Sequence, residues 1–149
     1  MYLFAELIFF NGGQVMTRRE AREQAFVLMF EKSFRQDEEV LDIAEAAFEE
    51  EQIEKDDFAL MLAKKAEDNL EDIDIYIEKY SRGWTIKRIP KVSLAILRIA
   101  ICEMLYVDEV PVGVSINEAV ELAKVYAGEN DSSFINGILG SISRDIKNG

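Results

Sequence analysis

The stretch from Lys91 to Tyr106 most constrains what this chain can fold into, because its apolar residues lie on nearly every side of a helix. A helix that is apolar all round is buried among other elements. The stretch therefore predicts a central helix, and Pro90 directly before it suits the start of that helix. Elsewhere the helical period recurs, and no stretch shows the two-residue alternation of a strand. The sequence thus predicts an all-α protein of six or seven helices.

Motifs typical of helix ends locate the helices that precede Pro90. Thr17 and Glu20 form a capping box, in which the Thr17 oxygen caps the first turn and Glu20 reaches back. This pattern predicts a first helix over about residues 18–33. The same criteria place further helix starts at Asp37 and at Asp56 or Asp57, with the third helix ending near Ser81.

The C-terminal third carries a second capping box and a glycine typical of a helix end. Ser115 and Glu118 form the box, which predicts that a helix begins at Ser115. Gly128 is expected to end this helix. Asn130 or Asp131 is expected to cap the last helix.

Four polar or small residues in this region are expected to be structural. Glu118 completes the capping box, and Asn117 is expected to tie backbone groups together. Asn136 and Gly137 fall in the middle of the last predicted helix, where glycine costs roughly 1 kcal/mol of helix propensity. We therefore expect these two residues to allow close packing of a neighbouring helix.

Composition excludes several classes of chemistry. The chain has 149 residues, no histidine and one cysteine, Cys102. The length suits one domain with a substantial core. Without histidine, neither a Ser–His triad nor a histidine metal ligand exists, and one cysteine forms no internal disulfide or zinc cluster. We expect a buried Cys102, no cofactor, no metal and no catalytic residue.

Residues 1–15 differ from the rest of the chain. They are apolar and then break at Asn11, Gly12 and Gly13. The segment is too short to span a bilayer, and it lacks the basic start and the cleavage site of a signal peptide. We interpret residues 1–15 as a non-native or disordered extension, Met16 as the natural start, and residues 16–149 as a single helical domain.

The net charge of −12 argues against a nucleic-acid binder until its distribution is considered. Phe34 to Asp74 holds 16 acidic and 4 basic residues, a net of −12, so the rest of the chain sums to zero. A local basic patch can bind phosphate while a distant acidic surface repels other polyanions. Two basic clusters lie outside this acidic segment: Arg18, Arg19 and Arg22, and then Lys79, Arg82, Lys87, Arg88, Lys91 and Arg98.

The first basic cluster, Arg18, Arg19 and Arg22, stands at a predicted helix start. Residues 18 and 22 lie one turn apart, so the three guanidinium groups fan out from one end of the helix. The free backbone N–H groups and the positive end of the helix dipole add to an anion-binding site. Arginine also stacks on unpaired bases, which suits single-stranded RNA. A solvated first turn paired with Glu20 and Glu23 is the alternative.

The second basic cluster has two parts. Lys87, Arg88 and Lys91 surround Pro90, where they either extend a phosphate path or form a solvated loop. Arg98 lies inside the central apolar helix and is expected to be structural. A buried arginine needs a carboxylate, and the candidates are Glu103, Glu118 and Glu121.

Two stretches of the sequence resemble the NusB family. Residues 18–25, RREAREQA, resemble the Arg-rich opening helix of that family. The C-terminal match is more specific. AILRIA at 95–100, Glu103, Pro111, INEAVELAK at 116–124 and FINGIL at 134–139 occur in the family's order and spacing. The resemblance covers about residues 16–145.

The resemblance implies a fold of two packed helical subdomains and a non-enzymatic function in the cytoplasm. NusB proteins are transcription antitermination factors that bind single-stranded boxA RNA as a heterodimer with NusE, a basic ribosomal protein. The pair joins a complex on RNA polymerase and suppresses termination, notably on ribosomal RNA operons. Some members self-associate, so a homodimer stays open. No membrane association is implied.

The resemblance also assigns sites. It favours RNA binding by the arginine-rich start of the first helix. It implies a second RNA contact in the segment from Gly128 to Ser133, with Asn130 and Asp131 as polar contacts. Many relatives carry a lysine where this chain has Ser133, so one phosphate contact is expected to be absent here.

Aromatic and acidic residues supply the candidates for a protein partner. Phe30 is the expected partner contact, and the acidic segment suits a basic ribosomal protein. The other aromatic candidates are expected to lie mainly in the core: Phe26, Tyr76, Tyr80 and Trp84. The low pI and Ser133 favour one alternative function, a helical protein-interaction module without RNA specificity.

Overall fold

The structure is a computed structural model that describes residues 16–148, with side chains described to Lys147. The predicted N-terminal extension, residues 1–15, lies outside the described residues. Seven α-helices and one 3-10 turn occur in the described part, and no strand does. The helices are α1 (Arg18–Lys32), α2 (Val40–Glu49), α3 (Asp57–Asp68), α4 (Leu70–Tyr80), α5 (Lys91–Tyr106), α6 (Val112–Tyr126) and α7 (Glu129–Asn148), and the 3-10 turn is Ile86–Arg88.

The central helix is α5, as its all-round apolar pattern predicts. Twelve of its residues, from Ser93 to Met104, are buried without a break. Helices α1, α2 and α3 pack against one another on one side, and α4, α6 and α7 lie on the other. Helix α5 contacts α1 and α3 from the first group and α4, α6 and α7 from the second. One shared core therefore joins two groups of helices, and the predicted all-α fold is confirmed.

Three of the predicted helix ends are confirmed. The Thr17 side chain accepts a hydrogen bond from the Glu20 N–H at 3.1 Å, and its hydroxyl donates to the Glu20 carboxylate at 3.1 Å. The Asp56 side chain accepts from the Ala59 N–H at 2.8 Å at the start of α3. Gly128 follows α6 with a φ of 101°, a left-handed backbone that glycine adopts readily.

Two helices before Pro90 differ from their predicted bounds. Helix α2 begins at Val40 rather than Asp37, because the Val40 N–H donates at 2.7 Å to the distant Glu67 carboxylate. The predicted third helix is two helices, interrupted at Asn69. The Asn69 side chain donates to the Lys65 carbonyl at 2.8 Å, which competes with continuation of the backbone ladder.

The second capping box is a wrong prediction. Helix α6 begins at Val112, behind Pro111, so Ser115 and Glu118 already lie inside it. Ser115 is buried and Glu118 pairs with Arg19 on α1. Asn117 is exposed and its side chain makes no hydrogen bond within residues 16–148, so it ties no backbone groups there. Tertiary partners explain these residues better than a local cap does.

The start and the middle of α7 also differ from expectation. The helix begins at Glu129, so Asn130 and Asp131 lie in its first turn rather than at its cap. Asn136 and Gly137 are exposed, and a Cβ added at Gly137 would meet nothing within 4 Å. The expected close helix packing at these two residues is therefore wrong.

The buried arginine of α5 has a different partner from those predicted. The Arg98 guanidinium donates to both carboxylate oxygens of Asp74 on α4, at 2.9 and 2.8 Å. Its expected structural role agrees with this geometry, but Asp74 is not among the predicted partners. The ion pair fastens α4 to the central helix.

No helix within residues 16–148 is both long and apolar enough to cross a membrane.

Candidate nucleic-acid interface

The first turn of α1 presents two exposed guanidinium groups. Arg18 and Arg19 follow the Thr17 cap directly, and both are exposed. Capping satisfies the Glu20 N–H, while the dipole of α1 leaves a partial positive charge at this end. The turn therefore combines two cationic side chains with a helix terminus that attracts anions.

Arg18 lies over the face of an aromatic ring. Its guanidinium carbon is 4.1 Å from the centroid of Phe58, which is half-buried at the start of α3. A cation over a ring face is held without losing its outward N–H donors. Arg18 is thus a preoriented cation, and the ring beneath it limits the entropy that binding would cost.

Arg19 is held by a carboxylate instead. Its Nε donates to Glu118 Oε2 at 2.9 Å and its Nη2 to Glu118 Oε1 at 3.2 Å, a two-point pairing between α1 and α6. The hydrogen bond and the charge of Glu118 raise the pKa of the Arg19 guanidinium. Arg19 nevertheless remains 66% exposed, against 19% for Glu118.

The third arginine of the first cluster is buried. Arg22 is only 7% exposed, and its Nε donates to both oxygens of Glu103 on α5, at 3.0 and 2.8 Å. The Ser115 hydroxyl donates to the same carboxylate at 2.5 Å. Arg22 therefore joins α1, α5 and α6, and the prediction that it contacts RNA directly is wrong. Sequence spacing gave no sign of Glu103, because 81 positions separate the two residues.

The second basic cluster is exposed where it surrounds Pro90. Lys87, Arg88 and Lys91 all have exposed side chains. The Lys91 ammonium lies 5.6 Å from the ring centroid of Phe34, two residues beyond the end of α1. The two basic clusters thus lie near opposite ends of α1, about 20 Å apart for a helix of this length.

A cleft of about 260 Å³ opens beside the second cluster. Its walls come from the loop before α5 and from the first two turns of α7. They consist of Trp84, Arg88, Ile89, Pro90, Asp131 and Phe134. The cleft combines an exposed indole, an arginine and a carboxylate.

Trp84 is the residue whose environment was least expected. It is 50% exposed, and its ring meets Phe134 edge-on at a centroid distance of 6.3 Å. The expectation of a core position is wrong for Trp84. The turn before it has positive φ angles at Arg82 (54°) and Gly83 (92°) and separates Trp84 from the end of α4. Gly83 was the signal of this turn in the sequence.

The first turns of α7 supply polar groups next to this cleft. Asn130 and Ser133 are exposed, and the half-buried Asp131 lines the cleft itself. Helix α6, which ends just before this point, also contacts α1. Arg19 near the start of α1 pairs with Glu118 in the middle of α6, and Glu23 accepts a hydrogen bond from the Tyr126 hydroxyl at the end of α6.

A second aromatic group lies at the C-terminal end of α1. Phe30 is half-buried and packs edge-on against Phe34 with a centroid distance of 5.0 Å. Phe34 is 52% exposed. Phe26, one turn before Phe30, is fully buried, as predicted. Large exposed aromatic side chains are typical of protein interfaces.

The described residues offer no metal centre. No group of three or more histidine, cysteine, aspartate or glutamate side chains within residues 16–148 is arranged to hold a metal ion.

Comparisons with known proteins agree with one another. The NusB family model matches residues 19–144. The transcription antitermination protein NusB of Natranaerobius thermophilus is 44% identical over 135 residues, covering 88% of this chain and 97% of the relative. The protein of the same name from Acetivibrio thermocellus is 46% identical over 128 residues, covering 85% and 88%.

Solved structures that resemble this chain are also NusB structures. A crystal structure of the antitermination factors NusB and NusE in complex with dsRNA contains a chain of 29% identity and TM-score 0.75, covering 87% of this chain and 99% of that one. The structure of T. maritima NusB has 34% identity and TM-score 0.74, covering 87% and 92%.

Proposed function

The chain belongs to the NusB family, and we propose that it binds single-stranded boxA RNA together with NusE as a transcription antitermination factor. The observation that carries this proposal is the first turn of α1, where Arg18 and Arg19 stay exposed on a protein of net charge −12. An isolated cationic turn on an acidic protein attracts one segment of RNA while the acidic surface repels the rest.

The cleft around Trp84 favours an unpaired strand over a duplex. Bases in a duplex are stacked on one another, whereas an unpaired base can stack on an aromatic side chain. Trp84 offers an exposed indole, and Arg88 lies beside it to meet the phosphate. The solved relative with NusE was bound to dsRNA, so a duplex is the comparison ligand in the binding experiment.

The RNA path we propose has two parts. Arg18 and Arg19 form the first, at the start of α1. Lys87, Arg88, Lys91, Asn130, Asp131 and Ser133 form the second, around the cleft. Arg22 supports the first part through Glu103 rather than through contact with RNA.

The protein partner is proposed to dock at the C-terminal end of α1. Phe30 and Phe34 form an exposed aromatic edge there. The acidic segment that follows, residues 34–74, suits a basic ribosomal protein such as NusE, because complementary charge speeds association. With NusE in place, the pair would join the antitermination complex on RNA polymerase.

The fluorescence of Trp84 tests the RNA proposal, because it is the only tryptophan in the chain. We expect boxA-like single-stranded RNA to change this emission, and a scrambled strand or a duplex to require higher concentrations. The affinity of the double variant Arg18→Ala and Arg19→Ala for the boxA-like strand should be lower by about tenfold or more. Lys124→Ala, which removes an exposed cation on α6, is the matched control and should bind as the wild type does.

One alternative function is a helical protein-interaction module without RNA specificity. The specific observation in its favour is Ser133, an exposed neutral residue at a position where the family resemblance implies a lysine. Under this alternative, boxA-like and scrambled strands would bind equally weakly, and NusE would bind through the Phe30 edge regardless of RNA.

A further inference from the structure

Arg19 and Glu118 form a two-point ion pair at the edge of the proposed RNA-binding surface. The carboxylate takes both side-facing donors of the guanidinium, Nε and Nη2, at 2.9 and 3.2 Å. Two-point pairing of this kind fixes the plane of the guanidinium as well as its position. Glu118 is mostly covered, so it anchors the more exposed Arg19 rather than the reverse.

Arg19 keeps unused donors in this arrangement. A guanidinium has five N–H groups, and the pairing uses one on Nε and one on Nη2. Both hydrogens of Nη1 and one of Nη2 remain, directed away from the carboxylate. Arg19 can therefore donate to a ligand end-on while its charge is compensated from the side.

Arg18 provides a direct contrast one residue earlier. Within residues 16–148, Arg18 forms no ion pair, and its guanidinium rests on the Phe58 ring. Its full charge is available to any phosphate. The two neighbouring arginines thus differ in chemistry. Arg18 is a cation without a counter-charge, whereas Arg19 is an oriented hydrogen-bond donor whose positive charge is compensated by Glu118.

We propose that Glu118 is a specificity-determining residue that turns Arg19 from a general phosphate-binding charge into an oriented hydrogen-bond donor. This inference rests on the proposed RNA-binding function. Charge drives sequence-independent binding, and each phosphate contact steepens its salt dependence. Directional donors distinguish one placement of a base or phosphate from another. Glu118 therefore lowers the affinity for arbitrary RNA more than it lowers the affinity for the correct strand.

The substitution Glu118→Gln tests this directly, because it removes the negative charge and keeps an oxygen that accepts from Arg19. Binding of labelled boxA-like and scrambled single strands is measured between 50 and 200 mM salt. We expect the scrambled strand to bind about threefold more tightly at low salt, as one released exposed charge would give. Its salt slope should steepen by about 0.7, and the ratio of the two affinities should fall.

Two controls isolate the pairing. Glu121→Gln removes a carboxylate whose charge also acts on Arg19 but which makes no hydrogen bond to it, so the affinity ratio should fall less than in Glu118→Gln. In a chain that carries Arg19→Ala, Glu118→Gln should have no further effect on the scrambled strand. Circular dichroism of each variant checks that the fold is intact.

The outcomes separate this inference from the proposed function. If the wild type prefers the boxA-like strand and Glu118→Gln leaves the affinity ratio and the slope unchanged, the role of Glu118 is refuted while RNA recognition stands. A loss of affinity for both strands in Glu118→Gln also refutes it, since Glu118 would then only position Arg19. If the wild type does not distinguish the strands even with NusE, both proposals fall.

Discussion

Arg22 and Glu103 form a buried ion pair, 2.8 Å from Nε to Oε2, between the first helix and the central one. Their side chains are 9% and 2% exposed, and Ser115 from α6 donates to the same carboxylate. Three helices thus meet at one charged group. This arrangement holds the start of α1, and with it Arg18 and Arg19, against the body of the protein.

Removal of either residue of the Arg22–Glu103 ion pair should destabilise the fold strongly. Glu103→Ala leaves the Arg22 guanidinium buried without a counter-charge, so we expect a loss of about 3–5 kcal/mol in the free energy of unfolding. Urea denaturation measures it. The double variant Arg22→Met with Glu103→Leu should recover much of that loss, because neither charge then remains buried. Equal instability of the single and double variants would contradict this account.

Trp84 should contribute to RNA affinity without a change in salt dependence. Loss of one base-stacking contact in Trp84→Ala is expected to cost about 1–3 kcal/mol of binding free energy, and the slope of log affinity against log salt should stay the same. Trp84→Phe should keep part of the affinity. Fluorescence anisotropy of labelled RNA measures both quantities, and an altered slope in Trp84→Ala would argue against a stacking role.

Arg18, unlike Trp84, should contribute to the salt dependence of RNA binding. Its charge is uncompensated within the described part of the chain, so Arg18→Ala should flatten the salt slope by about 0.7 for single-stranded RNA. Stability should change little because the side chain is exposed. Arg22→Ala is the comparison, since it should lower the free energy of unfolding instead. If Arg18→Ala leaves the slope as it is, Arg18 does not contact phosphate.

Cys102 should be chemically silent in the folded protein. Burial raises the pKa of its thiol to about 12, and the Sγ–H donates to the Leu62 carbonyl at 3.7 Å. The nucleophilic thiolate is therefore scarce at pH 8. A thiol reagent such as Ellman's should react slowly with native protein and at once after unfolding in urea. Rapid reaction of the native protein would show that α5 opens locally.

Glu31 should make stability fall as pH rises. Burial raises the pKa of this carboxyl above its ordinary value of 4.5, with Arg35 acting in the opposite direction. Neither carboxylate oxygen accepts a hydrogen bond from residues 16–148. The native state holds the proton more tightly than the unfolded chain, so this contribution is present below pH 4.5 and is lost as pH rises through the native pKa.

Glu31→Gln provides the measurement for that prediction. The amide stays neutral, so the variant should be more stable than the wild type near pH 7, with the difference shrinking toward pH 4. Urea denaturation at several pH values compares the two proteins. Glu45→Gln, at an exposed position on α2, is a control that should show no such trend. A difference that is constant with pH would exclude titration of Glu31 as the cause.

Features that depend on nearby residues were predictable from the sequence. The Thr17 cap, the Asp56 cap and the turn at Gly128 each involve residues within five positions of one another. The central helix was evident because a helix that is buried on all sides must be apolar on all sides. Local chemistry alone decides these features.

Features that depend on distant partners were not predictable. Helix α2 begins where Glu67 reaches it, Arg98 pairs with Asp74, and Arg22 is buried against Glu103. Each partner lies at least 24 positions away. The three N-terminal arginines look alike in sequence, and only packing separates a buried Arg22 from an exposed Arg18. Which charges are free is a property of the tertiary fold.

The most direct test of the account is the affinity of the wild type for boxA-like and scrambled single-stranded RNA, measured by anisotropy at one salt concentration with NusE present. We predict clear preference for the boxA-like strand, stronger with NusE than without it. Equal affinity for the two strands in the presence of NusE would contradict RNA recognition and would leave the chain as a NusB-family protein that binds only protein partners.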